Sequence, residues 1–341
     1  VQVASNGGRL VSELREAGIV HHRVALHTRN PLSILRSIGQ IKRLVQAEQI
    51  ELMHAHARIP AWVAERVMRM TGVPFLTTYH GLYNSHWFFR LFTSSGLHTI
   101  AVSEDVREHL VTRFGFPSSQ VTVIPNGIDV TRFKPSGPVD VQQVLYISRL
   151  SGERGGVALT ALEAIASLAG NYPRLHLTIV GEGDRLAEVK QLGDLLCRRV
   201  GRSICTILGG RGDVDRLMAE FGLVIGVGRV ALEAMSSGKP LIVASEYGNQ
   251  GLLTEANFAA AASRNFSARG ATQPSTARTL VSELKKALDA PDEAFQEAKK
   301  IRELVIGTYS MPVVVRQVMA VYEQVRKQFG CPDGHKGGKA K

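Results

Sequence analysis

The amino-acid sequence predicts an α/β protein with two parallel β-sheets, each in a domain with its own hydrophobic core. Short apolar runs alternate with amphipathic stretches along the chain, which is typical of strands joined by crossover helices. The runs in the second half are near-continuous Val, Ile and Leu, as strands buried on both faces require. A length of 341 residues favours two domains over one.

In the first half, helices are expected over 32–49, from Pro60 to about Met70, and from Ser103 to about Phe114. The predicted strands cover 22–27, 50–56, 74–81, 98–103 and 121–127.

In the second half, the predicted strands are stronger, and a final helix is expected over 313–329. These strands cover 143–148, 175–181, 204–210, 223–228 and 239–245. Two prolines and a glycine in 133–140 indicate a linker. The expected organisation is an N-terminal domain over 1–138, a C-terminal domain over 139–312, a helix over 313–330 packing back towards the N-terminal domain, and a flexible tail over 331–341.

Composition excludes several classes of protein. No run approaches the ~18 apolar residues that a membrane-spanning helix needs. Cys197, Cys205 and Cys331 are too few and too scattered for a disulfide framework or a zinc cluster, so a cytoplasmic setting is expected. The net charge of +11 favours an anionic partner. Nucleic acid is the weakest candidate, because the basic residues are dispersed and no stacking motif accompanies them.

Two arginines follow the strand at 143–148, before a helix expected to begin near Gly156. Arg149 and Arg154 would place two guanidiniums beside a glycine-rich turn and the positive end of that helix, which together bind a diphosphate. A solvated loop with unpaired arginines explains these residues equally well.

A glutamate lies inside the helix that follows the strand at 223–228. Gly226 and Gly228 form the turn that opens this helix, and Glu233 would accept hydrogen bonds from the two vicinal hydroxyls of a ribose. An exposed helix glutamate is the alternative, but the abrupt end of the helix before Gly238 favours the functional interpretation.

Gly181 and Gly183 lack the third glycine of a dinucleotide-binding fingerprint, so they indicate a phosphate contact or a tight turn rather than NAD binding. The Pro-Asn-Gly sequence that contains Asn126 and Gly127 is a strong turn signal.

Several polar residues are expected at the carboxyl edge of the first sheet. Tyr79, His80 and Gly81 come at the end of one predicted strand. His54 and His56 point the same way in another strand, but without a third nearby ligand they predict polar packing rather than a metal site.

An aromatic cluster with one arginine occupies 86–92. A buried helix is the simpler interpretation, and shallow contact with a membrane is the alternative.

Seven motifs in order and spacing resemble the retaining GT-B glycosyltransferases of family four, over roughly residues 1–328. They are MHAH, TTYHG, AVSEDVREHL, VIPNGIDVTRF, ISRLSGERGG, LTIVGEGD and ALEAMSSGKPLIVAS.

The resemblance implies that a sugar moves from a nucleotide diphosphate sugar to an acceptor hydroxyl, without a metal or other cofactor and with retention at the anomeric carbon. It further implies a bacterial cell-envelope role, such as lipopolysaccharide synthesis, with a lipid-linked or polysaccharide acceptor at the cytoplasmic face and peripheral membrane association left open.

The resemblance also implies roles for individual residues. Arg149 and Arg154 would neutralise the departing diphosphate, Glu233 would bind the ribose, and His80 would lie near the reaction centre. The remaining donor-side positions are Gly181, Gly183, Gly226, Gly228, Arg229, Asn126 and Gly127. The remaining acceptor-side positions are His54, His56, Tyr79 and Gly81.

Two features depart from the family pattern. Ile225 stands where the family usually carries a glutamate that contacts the donor sugar, and Arg229 follows in the same turn. The chain also opens at what resembles the second strand of the first domain, so the first strand and helix are expected to be absent. These departures leave a catalytically silent nucleotide-sugar-binding protein as an alternative. A GT-B epimerase acting on a UDP-sugar has less support, because the PNGID motif and the Arg149/Arg154 pair argue against it.

Overall fold

The structure of this protein, a computed structural model, describes residues 1–330 except Arg9, Arg29 and Pro138. The described chain divides into two compact units. The first unit comprises Val1–Ile124 and the described residues from Arg316 onward, and the second comprises Pro125–Val315. The expected tail over 331–341, with Cys331, lies outside the described residues.

The first unit has two parallel sheets. One pairs β1 (Gln2–Ser5) with β2 (Val20–Arg23), and the other has the order β3 (Met53–His56), β4 (Phe75–Tyr79), β5 (Thr99–Ala101) and β6 (Val121–Val123). Its helices are α1 (Val11–Glu16), α2 (Pro31–Ala47), α3 (Arg58–Thr71), α4 (Trp87–Arg90) and α5 (Glu104–Phe114), with a 3₁₀ turn at Ser118–Gln120.

The ends of these helices follow from local sequence. Asn30 caps α2, because its side-chain oxygen accepts hydrogen bonds from the backbone N–H groups of Leu32 and Ser33 at 3.0 and 3.3 Å. Gly72 and Gly115 end α3 and α5 in the left-handed conformation, which glycine adopts without steric cost.

The second unit has one mixed sheet in the order β12-β11-β10-β7-β8-β9. Its strands are β7 (Gln143–Ile147), β8 (His176–Val180), β9 (Cys205–Gly209), β10 (Leu223–Ile225), β11 (Leu241–Ser245) and β12 (Gly248–Leu252). β7 to β11 are parallel as predicted, whereas β12 runs antiparallel to β11 and was not anticipated.

Helices cover both faces of this sheet. They are α6 (Gly152–Leu168), α7 (Leu186–Val200), α8 (Val214–Glu220), α9 (Arg229–Ser236), α10 (Glu255–Ala262), α11 (Ala277–Asp289) and α12 (Pro291–Tyr309). The last helix, α13 (Met311–Gln328), begins in the second unit and continues in the first.

The central strands of the second unit, β7, β8, β10 and β11, are buried on both faces, as their composition predicts, whereas the edge strand β9 alternates half-buried and exposed residues. Val144 and Tyr146 of β7 belong to one hydrophobic core, whereas Leu145 between them belongs to another. Because successive side chains of a strand point to opposite faces, two cores sandwich the sheet. The fold class predicted from the sequence is confirmed at this level.

The segment expected as a linker, around 133–140, is part of the second unit. Phe133 is buried in its hydrophobic core, and the Ser136 hydroxyl donates a hydrogen bond to the Ala219 carbonyl at 2.8 Å. The division between the units falls between Ile124 and Pro125 instead of at residue 138. No helix among the described residues is both long enough and apolar enough to cross a membrane.

Candidate functional site

A narrow crevice lies at the carboxyl edge of the second unit's sheet, where the strand order reverses. β7 and β10 are neighbours, and the chain continues from β7 to β8 on one side and from β10 to β11 on the other. Ligands of open α/β sheets bind outside the carboxyl ends of strands at such a reversal. We call this site the switch-point crevice, lined among others by Tyr146, Ser148, Arg154, Gly226, Val227 and Glu246.

Arg154 is the cation of the switch-point crevice, and it lies in the first turn of a helix. α6 begins at Gly152 rather than near Gly156 as expected, so Arg154 is helical instead of preceding the helix. Its Nε donates a 2.7 Å hydrogen bond to Oε1 of Glu246. This bond raises the pKa of the guanidinium still further above its usual range. Arg149 is exposed on the preceding turn and is not among the residues that line the crevice.

Glu246 is a polar residue of this crevice that the sequence interpretation missed. It follows β11 directly, and its side chain is only 15% exposed. The available signal was its position, because a charged residue just after a buried parallel strand comes to the edge where ligands bind.

Glu233 is in helix α9, as predicted, but not in the lining of the switch-point crevice. Its side chain is buried, and Oε1 accepts a 3.0 Å hydrogen bond from Nε of Arg229. Burial raises the pKa of the Glu233 carboxyl, and the positive charge of Arg229 opposes that shift. A second ion pair, Arg132 with Asp215 at 2.9 Å, acts on the same carboxyl electrostatically. Arg229 thus forms an ion pair with the Glu233 carboxylate.

The turn before α9 needs glycine. Gly228 has φ +57° and ψ −117°, and no atom lies within 4 Å of the place where its Cβ would stand. Gly226 has no room for a side chain, because a Cβ there would lie 2.5 Å from the side chain of Val230. The buried Ile225, which ends β10, presents no polar group at the preceding position.

The two glycines after β8 allow close packing of neighbouring loops. A Cβ on Gly181 would lie 1.9 Å from the Ser148 carbonyl oxygen, and one on Gly183 would lie 2.2 Å from that of Leu150. Of the two interpretations of this motif, the tight approach of backbone explains the glycines without a ligand.

The loop with Asn126 and Gly127 packs against the start of α13. A Cβ on Gly127 would meet the sulfur of Met311 at 2.5 Å. The next residue, Ile128, donates its backbone N–H to the Tyr309 carbonyl at 2.8 Å and accepts one from Met311 at 3.1 Å. Asn126 is half-buried in this loop.

In the first unit, three histidines stack at the carboxyl edge of the sheet. The rings of His54 and His56 are 4.4 Å apart and those of His56 and His80 are 5.3 Å apart, and we call these three residues the histidine row. Nδ1 of His56 lies 3.0 Å from Nε2 of His80. Among the described residues, no group of three or more His, Cys, Asp or Glu could hold a metal ion.

His54 has both ring nitrogens engaged, in agreement with the predicted polar packing. They lie 2.7 Å from the hydroxyl oxygens of Tyr322 and Thr78. Burial lowers the pKa of His54 to about 3, and the neighbouring histidines add to this effect. Burial and then the charge of His80 lower the pKa of His56 to about 4. His54 and His56 also border a mostly apolar cavity of about 600 Å³ between residues of β1 and β3.

Tyr79 corrects an expectation about the acceptor side. Its side chain is fully buried, packs edge-on against Tyr83, and donates a 2.8 Å hydrogen bond to the Ser94 carbonyl. The side chain therefore stabilises the core. His80 and Gly81 follow β4 at its carboxyl end, as predicted.

The aromatic cluster at 86–92 forms the short helix α4, whose aromatic side chains are not all buried. Trp87 is 66% exposed and Phe88 is 48% exposed, and Leu91 beside them is 65% exposed. The simpler interpretation, a buried helix, does not hold for these three residues.

Both parts of the chain match models of glycosyltransferase families. Residues 1–132 match the model of Glycosyltransferase Family 4, and residues 141–268 match that of Glycosyl transferases group 1. The second match includes Arg154, Glu233 and Glu246.

Individual proteins resemble the chain more distantly. A phosphatidylinositol N-acetylglucosaminyltransferase subunit of Arabidopsis thaliana is 25% identical over 165 residues, which are 45% of this chain and 36% of that protein. Glycogen synthase of Mycobacterium tuberculosis is 27% identical over 301 residues, 80% of this chain and 68% of that protein. The chain thus spans about a third of the former's length and two thirds of the latter's.

Two crystal structures show the same fold. A glycosyltransferase from Rickettsia africae superposes with a TM-score of 0.75 and 21% identity, over 96% of this chain and 90% of that one. Anabaena HepE in complex with UDP-glucose superposes with a TM-score of 0.71 and 19% identity, over 95% and 91%.

Proposed function

Because the chain carries two glycosyltransferase domains in a GT-B fold, we propose that it moves a sugar from a nucleotide diphosphate sugar to a hydroxyl of a lipid-linked or polysaccharide acceptor. The main support for this proposal is the position of Arg154, whose charged guanidinium lies in the first turn of α6 and lines the switch-point crevice. The UDP-glucose complex of HepE supports a nucleotide-sugar donor.

The diphosphate is the part of the donor that this site suits best. When the sugar leaves, negative charge develops on the diphosphate, and a fixed guanidinium at a helix N-terminus stabilises that charge. Arg154 supplies the first guanidinium, and Arg149, exposed on the turn that precedes α6, supplies a second. With these charges, the transfer proceeds without a metal ion, so we expect EDTA to leave the rate unchanged.

Glu233 binds the ribose in this proposal. Its carboxylate accepts only, and two vicinal hydroxyls are matched donors. When the ribose binds, it replaces Arg229 as the hydrogen-bond partner of Glu233. The Arg229 side chain is 71% exposed, so water replaces Glu233 as the partner of its guanidinium.

The first unit takes the acceptor in this proposal. His80 lies at the carboxyl edge of its sheet, and exposed Trp87, Phe88 and Leu91 offer apolar contact to a lipid. The name of the Arabidopsis relative includes phosphatidylinositol, which supports a lipid acceptor. We place the reaction at the cytoplasmic face of a membrane, in bacterial cell-envelope synthesis, with retention of anomeric configuration.

A silent nucleotide-sugar-binding protein is the second candidate, and two observations favour it. Ile225 presents no polar group at the end of β10, and Arg229 occupies Glu233. Tight binding of a nucleotide sugar with neither transfer nor hydrolysis would support this candidate.

The deciding experiment is a thermal-shift and calorimetric panel of UDP-, GDP- and ADP-sugars with the free nucleotides, followed by incubation of the best donor with a crude lipid acceptor extract. We expect a donor to bind and a glycosylated lipid to form, with the α or β configuration of the donor retained in the proton NMR spectrum. Binding of no nucleotide would contradict the proposal, and inversion would contradict the stereochemical part.

A further inference from the structure

We infer that Glu246 binds the sugar portion of the donor and so contributes to the choice of sugar. This inference rests on the proposed function and deepens it. Among the described residues that line the switch-point crevice, Glu246 is the only carboxylate. Neither the family matches nor the sequence motifs assign it a role.

Glu246 lies at the edge of the sheet where a donor would bind. Glu246 follows β11, which pairs with β10, which in turn pairs with β7. Its side chain is 85% buried and borders the same crevice as Gly226 and Val227. A side chain on this edge lies where ligands of open α/β sheets bind.

The contact with Arg154 fixes the distance between Glu246 and a bound diphosphate. Nε of Arg154 donates to Glu246 at 2.7 Å. A guanidinium carries five N–H donors, so this bond does not prevent the Nη atoms of Arg154 from binding a phosphate oxygen. A diphosphate on Arg154 would thus lie one guanidinium width from the carboxylate of Glu246.

Charge decides which part of the donor faces Glu246. A carboxylate and a phosphate repel each other, so the diphosphate binds on the far side of Arg154. The sugar is neutral, it is attached directly to the diphosphate, and its hydroxyls are donors that a carboxylate accepts. Hydrogen bonds to a charged acceptor are stronger than those to a neutral one. Glu246 can therefore favour sugars whose hydroxyls reach its carboxylate over sugars whose hydroxyls do not.

The test compares each nucleotide diphosphate with its sugar derivative. Calorimetry would measure the dissociation constants of UDP and UDP-glucose, GDP and GDP-mannose, and ADP and ADP-glucose for the wild type, Glu246→Ala and Glu246→Gln. The matched control is Glu297→Gln, which alters a Glu–Lys ion pair on α12 with Lys300 at 2.6 Å. Circular dichroism and the melting temperature would confirm that each variant is folded.

We expect Glu246→Ala to lower the affinity for the nucleotide sugar by about 10- to 100-fold. The free nucleotide should bind this variant as tightly as the wild type or more tightly. Glu246→Gln should lose less affinity for the nucleotide sugar, because its amide oxygen still accepts a hydrogen bond from a sugar hydroxyl. Glu297→Gln should bind the nucleotide sugar as tightly as the wild type. Equal losses for the nucleotide and its sugar would overturn the inference, because Glu246 would then act only through Arg154. Unchanged binding of both would overturn it as well. A wild type that binds no nucleotide at all would contradict the proposed function itself.

Discussion

Glu233 forms a structural contact in the folded protein and binds the ribose in the proposed function. Its carboxylate is buried, and Arg229 one turn earlier compensates its charge. In the proposed function, the ribose takes over one of these contacts.

We predict that Glu233→Ala lowers the affinity for a nucleotide diphosphate by about tenfold or more, because the hydrogen bonds from the ribose hydroxyls to the charged carboxylate are lost. Inorganic pyrophosphate, which has no ribose, should bind Glu233→Ala as it binds the wild type. Calorimetry with both ligands measures the two effects, and Glu297→Gln serves as the control. A similar loss for pyrophosphate would show that Glu233 does not recognise the ribose.

His54 makes the stability of the first unit depend on pH. The pKa of its ring is about 3 in the folded protein against 6.5 for the free side chain, so the folded state favours the neutral ring. Below pH 6.5 the unfolded chain takes up a proton that the folded chain does not, so His54 stabilises the fold above pH 6.5 and this contribution falls as the pH drops towards 3.

We therefore expect the free energy of unfolding to be lower at pH 5 than at pH 7.5. Urea denaturation at several pH values measures this dependence. In His54→Gln the decrease between these two values should be smaller, and a decrease identical to that of the wild type would argue against His54 as a source of it.

At the scale of the element, the sequence predicted the strand-helix alternation well because buried parallel strands have a strong composition. β7, β8 and β11 fall within the predicted segments. β12 was missed, since GNQGL contains two glycines and two amides and lacks the apolar run of a central strand.

The start of α6 illustrates a different limit. Gly152, Gly155 and Gly156 have low helix propensity, yet α6 begins at Gly152 and not near Gly156 as the sequence predicts. A Cβ on Gly155 would lie 2.8 Å from the Arg185 side chain, so close packing accounts for that glycine. Packing of this kind joins residues distant in sequence, and local pattern does not reveal it. For the same reason, the contact of Arg154 with Glu246, 92 positions away, was not predicted.

The turn that opens α9 gives a prediction about stability. Gly228→Ala should lower the free energy of unfolding by about 1–3 kcal/mol, because φ +57° with ψ −117° is strained for alanine. Gly307→Ala, inside α12 with no atom within 4 Å of its Cβ position, should instead raise it by about 0.5–1 kcal/mol. Urea denaturation of both variants measures the difference, and the same sign for both would contradict this explanation.

At the scale of the whole molecule, charge and exposed apolar side chains lead to a prediction about membranes. The chain carries a net charge of +11, and Trp87, Phe88 and Leu91 are exposed. Anionic lipid surfaces attract basic proteins, and this attraction weakens as salt is added.

We expect the protein to sediment with vesicles containing phosphatidylglycerol and to bind less at 0.5 M than at 0.1 M NaCl. Trp87→Ala with Phe88→Ala should reduce binding at both salt concentrations, whereas Leu195→Ala, which removes an exposed side chain of α7 in the second unit, should not. Equal binding to vesicles of neutral phosphatidylcholine would contradict the electrostatic part of this prediction.

The central claim is that Arg154 in the switch-point crevice binds the diphosphate of an activated sugar. The most direct measurement is calorimetric titration of the best nucleotide diphosphate into the wild type, Arg154→Ala and Arg211→Ala, the last removing an exposed arginine paired with Asp213. We expect a loss of affinity of about 10²-fold in Arg154→Ala alone. Wild-type affinity in Arg154→Ala, with the protein folded, would contradict it.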